Sequence, residues 1–582
     1  MSIELDLKNW GFSAEHSKWL VDFRRANGRA PRVLSIGNIA NNAYKNAVIL
    51  RQCGVECDVL CPNYYHVMGV PEWEEGRFST SELNFDRPDW SSVPVAGFER
   101  PKWFAQGYLG TCLDYLISLR EGAPSADALW DQLLEETNSP GFGSGSAIFH
   151  DPHPPEVVEK AAQRLQGLFK VCFPARSDAP QFEAVSLSYY GILADERRWK
   201  RLFSHYDVVT GYAIDGIYPL FFGKRPYICF EHGTIRSIPF DENILGQLCA
   251  LSYVMADDVL ITNCDNVVAA NRLNLNSYRF VPHAILERKL DEQRISQLRA
   301  DLLARHQADF IVFHPPRQHW SSERNLNFEK GNDIFLRGFA DFVKTARPKA
   351  VAGLVNWGQH VAETKRLIEE LGIEDRVFWI DPVPVQVMTD YVAASDVLAD
   401  QFVIGAWGSI MPIGMMLGKP TLLYLNEEVH HWCFPVMPPV LNAKTVDEVS
   451  SSLTKATDDE YRHRIAADGV RWYNQYHSEN VVAGRLFDSL IAAKRSEREC
   501  EMKRSVQELR AQLSILEFER PVPKAPEPLP SEPIAPPCPA PPPRRVLASI
   551  LRYVPGIRSV SRLLLRYAPN LRGAIVRRLQ LD

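Results

Sequence analysis

The sequence predicts an α/β chain built from two doubly wound parallel-sheet domains facing each other across a cleft. A short coiled coil, a proline-rich linker and a basic tail follow. Three observations predict this. Apolar runs of strand length alternate with amphipathic stretches of helix length through both halves. At 582 residues the chain exceeds what one hydrophobic core organises. Past residue 493 the composition turns from globular to heptad, then to proline, then to arginine.

The first domain is expected over residues 1–286. Residues 1–30 read as a helical lead-in, and Arg32-Val33-Leu34-Ser35-Ile36 as a strand ending in the turn Gly37-Asn38-Ile39-Ala40-Asn41-Asn42. A helix through Ala47, Val48 and Leu50 and a second strand, Val55 to Leu60, complete the strand–turn–helix–strand unit a parallel sheet requires. Residues 62–180 are rich in Trp, Tyr, Pro and Gly and lack clear periodicity, so an insertion is expected there, either shaping a pocket or covering the sheet irregularly. Strands resume at 207–210, 227–230, 258–262 and 278–282; the second of these runs into Glu231-His232-Gly233-Thr234-Ile235-Arg236.

The second domain is expected over 287–493 and opens with a charged linking helix at 287–307. Strands at 310–314, 350–355, 376–380, 396–399 and 420–424 alternate with helices near 333–345, 361–371, 384–394 and 408–417. A helix near 479–494 ends the globular part. Within 494–520, Met502, Val506, Leu509, Leu513 and Leu516 keep a 4-3-4-3 spacing, which suits either a homodimeric coiled coil or a single surface helix. Residues 521–543 are about half proline and form an extended spacer.

Charge is divided unevenly. Residues 544–582 hold nine Arg and one Asp, a local +8 that leaves −14 on the rest of a chain whose net charge is −6. The tail repeats Leu-Leu-Arg-Tyr-Ala-Pro after Ile-Leu-Arg-Tyr-Val-Pro, placing leucines and tyrosines beside regularly spaced arginines. That arrangement suits an anionic membrane surface, with packing on the acidic body as the alternative. The N-terminal residues carry no signal-peptide core, and no stretch of 18 apolar residues occurs. Eleven scattered cysteines fit a reducing compartment. The expected location is cytoplasmic and peripheral on the inner face of a membrane. Cys53, Cys57 and Cys61 are evenly spaced, but Gly54 and the strand around them speak against a metal site.

Chemistry concentrates after the strand Phe310-Ile311-Val312-Phe313-His314. An Arg follows it (Pro315-Pro316-Arg317), and Lys330-Gly331-Asn332-Asp333 precedes the next helix. Two cations beside a helix N-terminus suit a diphosphate, because the helix end offers unpaired N–H groups and a positive dipole. A solvated basic loop is the other reading of this stretch.

Taken in order, these motifs resemble the GT-B glycosyltransferases of the family-4 (group 1) type, over roughly residues 30–490. The resemblance implies two Rossmann-like domains binding a nucleotide sugar between them. It assigns Gly37, Asn41 and Asn42 to the first glycine loop on the acceptor side, although the two asparagines also suit helix capping. It places His232 near the reacting carbon, gives Arg236 an acceptor phosphate or no ligand at all, and makes Arg317 and Lys330 the diphosphate grip. Gly331 and Asn332 at the helix start, with Gly405 and Gly408 ahead of Gly418-Lys419-Pro420, join the donor side. One departure matters: two glutamates of the family's motif are replaced by Gly405 and Ile413. The second normally binds ribose hydroxyls, and its loss would cost about 1.5–3 kcal/mol of donor affinity. Asp400, at the end of the preceding strand, is the candidate substitute. The resemblance implies a retaining, metal-independent hexosyl transfer to a glycan or lipid-linked glycan, with no cofactor beyond the nucleotide sugar and no nucleic-acid partner. A non-catalytic scaffold at a membrane and a sugar-nucleotide epimerase are the rival readings.

Overall fold

The structure is a computed structural model that describes residues 12–62, 66–80, 98–139, 142, 155–176, 196–320 and 329–496. All of them belong to one compact unit, Met1–Glu508. The heptad segment beyond 496, the proline spacer and the basic tail lie outside the described residues. No helix among the described residues is long and apolar enough to cross a membrane.

Two parallel sheets carry the fold. The first contains β1 (Arg32–Ile36), β2 (Glu56–Pro62), β3 (Phe104–Gly107), β4 (Val208–Tyr212), β5 (Tyr227–Glu231), β6 (Asp258–Ile261) and β7 (Arg279–Phe280). Their order is β3-β2-β1-β4-β5-β6-β7, and every pairing is parallel. The second contains β8 (Phe310–His314), β9 (Ala350–Val355), β10 (Val377–Ile380), β11 (Val397–Ala399), β12 (Thr421–Leu423) and β13 (Leu441–Asn442). Its order is β10-β9-β8-β11-β12-β13, again all parallel. Both orders reverse beside the first strand, between β1 and β4 and between β8 and β11. In a doubly wound sheet that reversal opens a crevice at the strands' C-terminal ends, where ligands bind. Each sheet with its helices is a doubly wound, Rossmann-like domain.

The strands read as continuous apolar runs because helices cover both sheet faces. In β8, Phe310, Ile311, Val312 and Phe313 are each at most 2% exposed. Burying each such side chain contributes about 1.5–3 kcal/mol. The helix Asn332–Thr345 completes that core with Phe335, Phe339 and Phe342. One stretch departs from expectation. Part of 62–180 is regular α/β structure: β3 extends the first sheet, and the helices Leu109–Glu121 and Ser125–Asn138 follow it.

The chain ends its described course by returning to the first lobe. The helix over 479–496 places Val482, Ala483, Phe487 and Leu490 in one apolar cluster with Val33, Tyr44 and Ile49. A second tie crosses between the lobes: Arg77 donates to both carboxylate oxygens of Asp390, at 2.7 and 3.1 Å, and Arg294 bonds the same carboxylate.

Candidate active site

The C-terminal wall of the crevice is built where β8 and β11 end. His314 is fully buried; its Nδ1–H donates to Ala399 O at 3.1 Å, leaving Nε2 to accept from Asn332 Nδ2 at 3.0 Å. Asn332 Oδ1 accepts from His319 N at 3.0 Å. Its side chain therefore ties the loop after β8 to the helix start. Gly331 adopts φ +68, and an added Cβ would lie 3.0 Å from Val403 and 3.1 Å from Phe402. This cramped left-handed turn points Lys330 across the reversal, where Nζ donates to Gln401 Oε1 at 2.6 Å.

Lys330 is the electrostatic centre of the crevice. Burial pulls its ammonium down to about 8; Arg317 and Arg236 push the same way, and Asp400 opposes them. Arg236 belongs to the first lobe and Arg317 to the second, so cations from both sides converge on one point. Burial also lowers the Arg317 guanidinium. Asp400 is 4% exposed, with Oδ2 lacking a hydrogen-bond partner. Burial raises its carboxyl to about 6, against the pull of Lys330 and the Met411 N–H. Gly405 has φ +74 and packs against Tyr424 and Asn426; a Cβ at Gly408 would meet open space. Ile413 is 3% exposed within an apolar cluster containing Phe313, Val392 and Leu398, so this position is core.

Beside Arg236, the N-terminal wall carries a network of uncharged groups. Asn42 Nδ2 donates to His232 Nδ1 at 3.1 Å, while Asn42 Oδ1 lies 3.5 Å from His283 Nδ1. The two imidazoles meet edge to face at 5.0 Å. Burial, with Lys45 and Arg236 nearby, lowers His232 to about 4, so it is neutral at pH 7 with the proton on Nε2. Burial likewise pulls His283 well below the ordinary range. Neither Asn41 nor Asn42 caps the helix Asn42–Gln52 with its side chain. Asn41 donates to Val70 O at 2.6 Å, and Asn38 Oδ1 takes the Tyr44 N–H at 2.9 Å. Arg236 is held by Asp265 through two bonds, at 2.6 and 2.9 Å.

Sequence reading missed Asp215. Gly37 has φ +85, and a Cβ there would fall 2.0 Å from Asp215 Oδ2. The glycine loop thus makes room for this carboxyl at the β1/β4 reversal. Burial alone raises Asp215 to about 7, although the residue keeps some surface exposed. The signal was present: an acid just past an apolar strand, in Tyr212-Ala213-Ile214-Asp215-Gly216. Lys45 was missed too, because a lysine on the first turns of a helix reads as solvated; here it is 5% exposed. No group of three or more His, Cys, Asp or Glu among the described residues could hold a metal ion.

No family model matches the sequence, and no curated protein matches it. Solved structures do. The Anabaena HepE structure in complex with UDP and glucose is 13% identical, covering 79% of this chain and 100% of that one with a TM-score of 0.44. Sucrose-phosphate synthase from Thermosynechococcus elongatus is 12% identical, covering 80% and 100% with a TM-score of 0.43. An Escherichia coli trehalose-6-phosphate structure bound with UDP-2-fluoro glucose is 9% identical, covering 79% and 98% with a TM-score of 0.43.

Proposed function

We propose that this chain is a glycosyltransferase that moves a sugar from a nucleotide-sugar donor to a hydroxyl-bearing acceptor. One observation carries the reading: Lys330, with Arg317 beside it and Arg236 from the facing lobe, concentrates positive charge at the β8/β11 reversal. Cations crowded into a crevice repel one another and lose hydration, and an anion between them relieves both costs. A diphosphate fits, being anionic, multidentate and suited to the end of a strand in this fold.

Glycosyl transfer makes the same demand. As the glycosidic bond to the donor breaks, negative charge grows on the departing diphosphate and positive charge on the sugar ring. Arg317 and Lys330 would stabilise the first by preorganised charge. Asp400 would take a donor hydroxyl. On the other wall His232, neutral, would donate from Nε2 to the transferred sugar or the acceptor, and Asp215 would accept from the attacking hydroxyl. Retention of configuration and independence of metal come from the family resemblance. A glycan or lipid-linked acceptor at an anionic membrane rests on the basic tail.

Calorimetry with UDP, GDP, ADP and CMP tests the donor site. One nucleotide is expected to bind wild type and to lose at least tenfold in affinity in Arg317→Ala and in Lys330→Ala. Silence across the panel sinks the enzyme and favours a non-catalytic scaffold, the reading supported by Ile413 lying in an apolar core. Liposome flotation with and without residues 544–582 tests the tail; equal binding of both forms removes the membrane.

A further inference from the structure

Two free cysteines and a histidine meet where the second lobe touches the first, outside the cation cluster and the His232 network. Cys264 opens the turn after β6 of the first sheet, and Cys433 lies between β12 and β13 of the second. Trp432, next to Cys433, donates from Nε1 to Cys264 O at 2.7 Å and so pins the two segments together. Cys264 is 3% exposed and Cys433 partly exposed, both against one apolar cluster with Phe280, Trp407 and Phe434. His430 is fully buried and stacks on Trp407 at 4.5 Å. Its Nδ1–H donates to Asn426 O at 2.7 Å, so the neutral ring carries its lone pair on Nε2. That nitrogen is buried and closes no hydrogen bond of its own. Burial opposes ionisation of the Cys264 thiol, but Cys433 and the His430 ring outweigh it and draw the thiol below its ordinary value. The Cys433 thiol is pushed up, by burial first and then by Cys264.

Buried cysteines that only pack are inert thiols, whereas a reactive one has a base or a second thiol within reach. Among the described cysteines Cys264 alone is shifted towards the thiolate; the others are raised. Among the described residues no three His, Cys, Asp or Glu side chains could hold a metal ion, which leaves thiol chemistry. We propose that Cys264 and Cys433 are a reversible redox pair, oxidised by a hydroperoxide to a disulfide that ties the two lobes together. With hydrogen peroxide as oxidant the step balances. His430 Nε2 takes the Cys264 proton, the thiolate attacks a peroxide oxygen, and the O–O bond breaks. The departing hydroxide collects the proton from His430 and leaves as water, and Cys264 is a sulfenic acid. Cys433 Sγ then attacks that sulfur, the S–O bond breaks, and the hydroxide leaves with the Cys433 proton as a second water. A thiol reductant reverses the bond. The tie would bear on the crevice, because Asp265 beside Cys264 holds Arg236, and Trp407 against His430 directly precedes Gly408. Formation of the pair does not depend on the glycosyl-transfer reading; its effect on a bound nucleotide does.

The test treats reduced full-length protein with hydrogen peroxide, quenches it with catalase, alkylates it and maps the peptides by mass spectrometry. A peptide pair joined through Cys264 and Cys433 is expected, and dithiothreitol should release it. It should form roughly tenfold faster than Cys172 is oxidised, a partly exposed thiol facing the Met255 thioether. Cys433→Ser should leave Cys264 as a sulfenic acid that dimedone captures, and His430→Asn should slow closure by about tenfold or more. Wild type alone decides the pairing, so a variant that fails to fold leaves the test intact. Oxidised wild type should melt higher than reduced wild type and exchange a bound nucleotide several-fold more slowly, both differences vanishing in Cys433→Ser. Cys264 and Cys433 staying free in excess peroxide, pairing with other cysteines, or joining each other only in urea-unfolded chain would overturn the proposal. So would a closed pair that changes neither melting nor exchange. A pair that closes and raises melting in a protein that binds no nucleotide upholds the redox site and sinks the glycosyl-transfer reading.

Discussion

On the C-terminal wall of the crevice, Lys330 and Arg317 hold positive charge where burial makes it costly. On the N-terminal wall, burial does the reverse work: His232 and His283 are held neutral, and Asp215 is raised to about 7. The same desolvation acts on both walls, so the difference lies in what each can meet. Fixed cations suit a phosphate that stays charged. Neutral imidazoles and an acid near its midpoint suit hydroxyls, which must be oriented and then relieved of a proton. On the proposed reading, the C-terminal wall would supply most of the charge and the N-terminal wall would handle the proton.

Removing the charge should therefore have the largest effect, and should act on binding. In Arg317→Ala/Lys330→Ala, two charge-assisted contacts of about 1.5–3 kcal/mol each are lost, weakening nucleotide affinity by roughly a hundredfold to ten-thousandfold. Calorimetry with the preferred nucleotide measures this. His232→Ala should barely move that affinity. Equal losses in the two variants would erase the distinction between the walls.

Asp215→Asn should show the opposite pattern. We expect turnover to fall by about tenfold to a hundredfold, the scale of one hydrogen bond to a charged group, with nucleotide affinity within threefold of wild type. Its stability should change with pH in a set direction. The folded carboxyl titrates near 7 and the free one near 3.8, so the folded state holds more protons between those values. This contribution to stability is present at low pH and is lost as pH rises through 7. Asn removes it, so the variant should melt higher than wild type at pH 8 and close to it at pH 4. A variant that melts lower at pH 8 would show that the carboxylate is paired.

Lys330 sharpens the contrast through two opposed pH profiles. Its ammonium titrates near 8 when folded against 10.5 when free, so the unfolded chain binds more protons in that window. The unliganded protein should gain stability as pH rises from 8 towards 10.5, while nucleotide affinity falls over the same range because the cation is discharged. Lys330→Met should flatten both slopes. Melting curves and titrations at pH 7, 8.5 and 10 give the answer; parallel slopes would place the proton on another group.

Much of this contrast was legible beforehand, and the reason is physical. A strand that lies centrally in a parallel sheet is buried on both faces and so runs largely apolar, which is why β1, β8 and β9 stand out at their observed bounds. Edge strands obey no such rule: β3 is Phe-Ala-Gln-Gly, too short and too mixed to be distinguished from its aromatic surroundings. The helix Val446–Lys455 was overlooked although Thr445 and Glu448 form a capping box, a spacing visible in the sequence. Site residues followed a similar division. Lys330 stood out because a cation beside a glycine at a helix start is a local signal, and Arg317 because it closes the turn straight after an apolar strand. Asp215 and Lys45 owe their character to burial by distant segments, which no local spacing encodes.

The smallest expected effect concerns how the walls are held together. Arg77 reaches from the first lobe to Asp390 on the second, but Arg294 also bonds that carboxylate. Arg77→Met therefore leaves the buried Asp390 with one guanidinium, and the loss should resemble that of a partly exposed ion pair, about 1 kcal/mol or less. Nucleotide affinity should weaken by less than about fivefold, and small-angle scattering should show a slightly larger radius of gyration. If Arg77→Met weakened binding as much as Arg317→Ala, lobe closure would supply the grip on the nucleotide. The contrast between the walls would then depend on holding them together, and the charge of the C-terminal wall would be secondary.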